Sequence, residues 1–149
     1  VPASQFELGT DGPKVILVGL DGSVTSMRAA AYAAGMARRQ SSRLFVLYVR
    51  SGAAMAALAP MGAASVQQAL DEASEDLRRL VTEGAANIGM AVEFVIAEGD
   101  PFGQLVRVAD EVRADAVVVG ASTQAGHRVI GSIAVRLVRA GRWPVIVVP

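Results

Sequence analysis

Three consecutive valines, Val117 to Val119, end at Gly120 and give way to a loop of small and polar residues, and no other stretch constrains the chain as much. A β-branched run without polar alternation fits a pleated strand covered on both faces. Residues 14–20 (KVILVGL) and 44–49 (LFVLYV) have the same buried character, and residues 91–97 (AVEFVIA) and Val145–Val148 (VIVV) also read as strands. Helical patterns fall between them. Met27, Ala30, Ala31, Ala34 and Met36 give residues 26–40 a sheet-facing side. Val66, Ala69, Leu70, Ala73, Leu77, Leu80 and Val81 follow helical spacing through residues 65–88. Leu105, Val108, Ala109 and Val112 mark a third helix. Ile133, Leu137 and Val138 mark a fourth over Ser132–Ala140. Strands alternating with helices in this order predict an α/β fold with an open parallel sheet and helices on both faces.

Local punctuation agrees with this order. Asp21-Gly22-Ser23 turns the first strand into a helix that Ser23 or Thr25 can cap. Asp100 is a preferred N-cap, and Pro101 occupies the first helical position, where its missing N–H costs little. Arg136 and Arg139 suit the end of the last helix, which stops at Gly141. Residues 51–64 are mostly alanine, glycine and methionine without clear periodicity, and read as a long loop, a lid or a disordered segment. Residues 1–13 read as a flexible extension and residues 14–149 as one domain.

Composition narrows the chemistry. The 149 residues include no cysteine, which excludes disulfides, thiolate metal sites and cysteine nucleophiles. A lone histidine, His127, cannot build a multi-histidine metal centre. Fourteen basic residues balance fourteen acidic ones, so no bulk attraction to nucleic acid or to an anionic membrane is expected. Pro60 breaks the longest weakly polar run, which makes a poor membrane span. The first thirteen residues lack the basic and apolar regions of a secretion signal, so a cytoplasmic protein is expected.

The strand, loop and helix start over residues 116–132 leave backbone N–H groups at a helix N-terminus, where an anion such as phosphate is favoured. An ordinary connection between a strand and a helix has the same pattern. There is no Walker phosphate loop, and the only lysine is Lys14. Gly120-Ala121-Ser122-Thr123-Gln124 has Gln124 where a nucleophile elbow needs glycine, which disfavours a serine hydrolase. His127 beside Arg128 can contact phosphate or serve as a base, or be a solvated loop residue. Asp21 can bind a metal or a ligand hydroxyl, or hydrogen-bond its own turn. Ser132 can bind phosphate and cap its helix at once.

Taken together, Asp21-Gly22-Ser23, Glu98-Gly99-Asp100-Pro101, the VVVG strand and its loop, Gly131-Ser132 and the terminal Trp143-Pro144-Val145-Ile146-Val147-Val148 resemble the universal stress protein (UspA) family. The resemblance implies a Rossmann-like, five-stranded parallel sheet in the order 3-2-1-4-5, with a cleft at the point where the order reverses. It also implies a stress-response protein that binds ATP or AMP, with Mg2+ if ATP, and at most slow ATPase activity. Gly19, Leu20 and Asp21 would line the adenine and ribose end, with Val49 beside the base. Val119 and Gly120 would form the near wall, and Gly131, Ser132 and Ile133 would meet the phosphates. The family also pairs its last strand with a second copy, which implies a homodimer through Val145–Val148.

The sequence departs from the nucleotide-binding pattern at two points. Thr123 stands where the family's second loop glycine would be, and the spacing from Gly120 to Gly131 is two residues short. A β-carbon at Thr123 restricts positive φ angles and takes up space near phosphate, while Gly126 offers some compensating freedom. The alternative expectation is therefore a dimeric interaction module that binds no nucleotide.

Overall fold

A computed structural model describes residues 12–122 and 130–149. The elements in chain order are β1 (Val15–Leu20), α1 (Val24–Gln40), β2 (Arg43–Arg50), α2 (Gly52–Leu58), a 3-10 turn (Ala59–Met61), α3 (Ala63–Asn87), β3 (Glu93–Glu98), α4 (Pro101–Val112), β4 (Ala116–Gly120), α5 (Ser132–Ala140) and β5 (Val145–Val148). The strands form one parallel sheet in the order β3-β2-β1-β4-β5, as the resemblance implied.

Alternation along each strand divides the apolar residues between two layers. Ile16, Val18 and Leu20 pack with Leu44, Val46 and Val118 beneath α1, with Leu77 and Val81 of α3 against the same cluster. Leu17, Leu47, Val117 and Val119 pack on the other side with Leu105, Val108 and Ala109 of α4 and Ala134 and Leu137 of α5. Val108, Leu137 and the β4 valines are thus buried where the spacing places them, whereas Leu80 and Val138 are exposed at the margins of their stripes.

Helix α1 shows how an alanine-rich pattern misleads. Its buried stripe is Ala29, Ala33, Met36 and Ala37, with Ala30 beside it, while Ala31 faces solvent and Met27 and Ala34 are half-buried. Alanine at 29, 30, 31, 33 and 34 offers a similar apolar face in several rotations, so the sequence does not select one. Close approach to the sheet selects it instead. Residues 51–64 also differ from the loop expected of them: α2 and the 3-10 turn occupy residues 52–61, with Pro60 near the start of the turn. Alanine favours helix through its backbone and rotamer entropy, not through a polar and apolar contrast, which is why no periodicity announced this helix.

The amino ends of β1 and β4 are fastened by one carboxylate, since Asp115 Oδ2 accepts from both Lys14 N and Val15 N at 2.9 Å. Ser41 and Arg113 end α1 and α4 in the left-handed conformation, at φ 55° and 54°. L-residues pay a steric penalty there that glycine, lacking a β-carbon, escapes. Arg113→Gly is therefore expected to raise the unfolding free energy by about 0.5–1 kcal/mol, measured as a shift of the urea midpoint at constant m-value.

Candidate functional site

The site is built where β1 and β4, neighbours in the sheet, send their chains to opposite faces. After β1, Gly22 adopts φ +85°, and the turn is held by its own polar groups. Asp21 Oδ1 accepts from Ser23 N at 2.8 Å, and Ser23 Oγ accepts from Ser26 N at 3.2 Å, capping α1. Ser26 Oγ donates to Ser23 O at 2.9 Å and accepts from Asp21 N at 3.3 Å.

Across the crevice, β4 ends against the start of α1. A β-carbon on Gly120 would lie 2.5 Å from Thr25 C and 2.6 Å from Ser26 N, so only glycine permits this approach. Thr25, which is buried, donates from Oγ1 to Ala121 O at 2.6 Å, and Ala121 N donates to Val148 O at 2.7 Å. The end of β4 is thereby joined to α1 on one side and to β5 on the other.

A cleft of about 310 Å³ opens at this point, within the size range of small-molecule sites. Leu47, Val49, Leu105 and Val119 give it apolar wall, while Asp21, Ser23, Thr25, Ser26, Ser122 and Ser132 add polar groups. A β-carbon on Gly19 would come within 3.2 Å of Leu105 Cδ2, so this glycine also keeps space open. Of the residues expected to bind a nucleotide, Gly19, Leu20, Asp21, Val49, Val119, Gly120, Gly131, Ser132 and Ile133 all line the cleft. Thr123 and Gly126 lie outside the described residues, as does His127. Leu47, Pro101 and Leu105 also line the cleft, although the sequence marks them only as strand, helix-start and core residues. The hydroxyls of Ser23 and Thr25 are legible as caps, and their place on the wall emerges only from the packing of α1 against β4.

Three helix starts reach the cleft, and their caps differ. Ser23 caps α1, and Asp100 caps α4 by accepting from Gly103 N at 2.7 Å. The N-cap of α5 is Gly131, which supplies no side-chain hydrogen bond. Among the described residues, the first N–H groups of α5 therefore meet no capping side chain at the positive end of the helix dipole, beside Ser122. Among the described residues lining the cleft, Asp21 is the only ionisable one. No cluster of three potential metal ligands occurs among the described residues.

Burial by itself would raise the Asp21 pKa, but hydrogen bonds from the Ser23 side chain and backbone and from Ser26 outweigh it and hold the carboxyl below its ordinary 3.8. The side chain is thus an acceptor at neutral pH.

A sequence profile of the universal stress protein family matches residues 13–149. The chain belongs to the universal stress protein family. Among its relatives is the universal stress protein MJ0531 of Methanocaldococcus jannaschii, 27% identical over 138 residues that span 91% of this chain and 81% of the relative. The solved structure of the universal stress protein UspA from Lactobacillus plantarum is 28% identical, with a TM-score of 0.75 over 91% of this chain and 97% of that one. A universal stress protein solved in complex with cAMP is 25% identical, with a TM-score of 0.68 over 93% and 98% of the two chains. The family membership agrees with the resemblance, and no helix among the described residues is long and apolar enough to cross a membrane.

A depressed carboxyl pKa in the fold binds fewer protons than the unfolded chain does, so Asp21 adds stability above pH 3.8 and loses it as pH falls through its lower folded value. Urea unfolding of the wild type and of Asp21→Asn should show a stability gap at pH 7 that narrows below pH 3.8, whereas a gap independent of pH would assign the loss to geometry alone.

Proposed function

We propose that the cleft binds an adenine nucleotide and that this universal stress protein acts as a nucleotide-responsive binding protein. The supporting observation is the pairing, within one cleft, of an apolar recess with a helix start whose N-cap residue is glycine. Leu47, Val49, Leu105 and Val119 offer a base the apolar surface that a purine ring prefers. Asp21, ionised at neutral pH, offers an acceptor to ribose hydroxyls. The N–H groups opening α5, with Ser132 beside them, suit a phosphate. The relative solved with cAMP, at 25% identity, supports the same ligand class.

The chain's own groups do the holding in this reading. Gly120 and Gly131 keep side chains out of the approach to the phosphate, and the Thr25 hydroxyl fixes the backbone that bounds it. With ATP, Mg2+ would be carried chiefly by the phosphates, since Asp21 is the one carboxylate among the described lining residues. No residue is assigned to catalysis. The role is binding, with ATP hydrolysis at most slow.

The alternative, an interaction module without nucleotide, draws support from Thr123 and the shortened loop. Titration calorimetry with AMP and with Mg-ATP separates the two, alongside extraction of small molecules from the purified protein. Heat with either ligand, or a co-purifying nucleotide, supports the first reading. Gly131→Leu should then weaken affinity at least tenfold, roughly 1.4 kcal/mol, because a β-carbon there already meets Ser122 Cβ at 3.3 Å. No heat and no nucleotide would leave the interaction module.

For a partner, we propose a second copy of the chain, joined along β5, the apolar strand at one edge of the sheet. Val117 N donates to Pro144 O and Ala121 N to Val148 O, so alternation turns the Val145 and Val147 backbone groups outward. Val147→Pro removes an outward N–H and spares the ladder to β4. Light scattering is expected to find a dimer for the wild type and a monomer with native circular dichroism for Val147→Pro.

A further inference from the structure

One buried charge lies beside the cleft without lining it. Arg50 is the last residue of β2, and alternation turns it toward α3, while Val49 faces the cleft. It is only 6% exposed. Its Nη1 donates to Asp71 Oδ1 of α3 at 2.6 Å, and its Nη2 pairs with Glu98 Oε1 at the end of β3. Gln67 Nε2, one turn before Asp71, braces that carboxylate at 3.0 Å. Hydrogen bonds to Asp71 and then Glu98 raise the Arg50 pKa above its ordinary value despite the opposing effect of burial, so the guanidinium stays charged.

The arrangement is demanding. Arg50 Nε is buried with no hydrogen-bond partner among the described residues, and a buried guanidinium is tolerated only while its carboxylates hold their places. A planar fork reaching two carboxylates on two different elements fixes the distance between those elements, as a single-point cation does not.

The end of β2 and the start of α4, which follows the turn after β3, frame the apolar end of the cleft. Val49 and Ser51, the residues on either side of Arg50, both line it. Arg50 O accepts from Gly99 N at 3.2 Å, just before Asp100 caps α4 and Pro101 reaches the cleft wall. Gly99 itself sits at φ +118°. The backbone of one residue thus holds the turn after β3, and its side chain holds α3 against β2.

We infer that Arg50 is a positioning residue for the apolar end of the cleft, setting the separation of the chain reversals that follow β2 and β3 through its fork to Asp71 and Glu98. What this end receives, the base of a nucleotide, rests on the function proposed above; the positioning itself does not.

The test compares the wild type, Arg50→Met and Arg50→Lys. Methionine fills similar space without a charge, and lysine keeps the charge but not the fork. AMP and ribose 5-phosphate are titrated into each protein, and amide hydrogen exchange is followed at Gly99 and Gly103. Arg50→Met should lower AMP affinity about tenfold, leave ribose 5-phosphate affinity unchanged, and speed exchange at Gly99 and Gly103 while β1 and β4 amides keep their protection. Arg50→Lys should fall between. Equal weakening of both ligands, or unchanged exchange at the two glycines, would overturn the inference. If Arg50→Met does not fold, Glu98→Ala takes its place with the same outcomes, because the Glu98 side chain is exposed and its loss releases the turn after β3 while leaving Asp71 on the arginine. If the wild type takes up no AMP, the nucleotide reading fails, and exchange at Gly99 and Gly103 alone decides the role of Arg50.

Discussion

The contact on which the cleft depends is made by backbone alone. Gly120 lies so close to Thr25 and Ser26 that a single added carbon would overlap main-chain atoms. Because neither partner is a flexible side chain, the contact cannot be eased by a rotamer change; α1 or β4 would have to move. The Thr25 hydroxyl adds a bond to Ala121 O at the same place, satisfying a buried donor while fixing where the chain leaves the sheet. The start of one helix and the end of one strand are therefore a single rigid unit. Both the mouth of the cleft and the approach to α5 are measured from it.

Much of this was legible in the residues. Strand β4 ends at Gly120 and α5 spans Ser132–Ala140 as read from the valine run, the serine and the closing glycine, because each boundary is marked by a residue with one strong conformational reason to be there. Asp100 and Pro101 place the start of α4 for the same reason. The family order of strands then brings Asp21 and Gly120 to one crevice, although nearly a hundred residues separate them in the chain.

What escaped the sequence has a common physical origin. In α1 and over residues 51–64, alanine supplies helix propensity without marking an inside or an outside, so rotation and even existence are settled by packing. Arg50 is a different case. The strand expected over residues 44–49 stops one residue short of it, and only the placement of Asp71 and Glu98 around it makes burial tolerable. Long-range charge complementarity leaves no periodic trace. Similarly, the serines around Asp21 read as local turn formers, and their closeness to the β4 exit comes from the packing of α1 against β4.

The bracing of Lys14 and Val15 by Asp115 fixes where the polypeptide enters the sheet. All five strands run parallel, so that entrance lies at the opposite end of the strands from the cleft, about 20 Å away along the six residues of β1. Past β5, Pro149 instead emerges on the cleft side, where its carbonyl accepts from Arg28 Nη1 at 3.5 Å. The molecule is therefore polar in a practical sense. Tethered to a solid support ahead of β1, it would present its recess to the bulk, whereas a carrier fused behind β5 would crowd the doorway through which any small guest must pass.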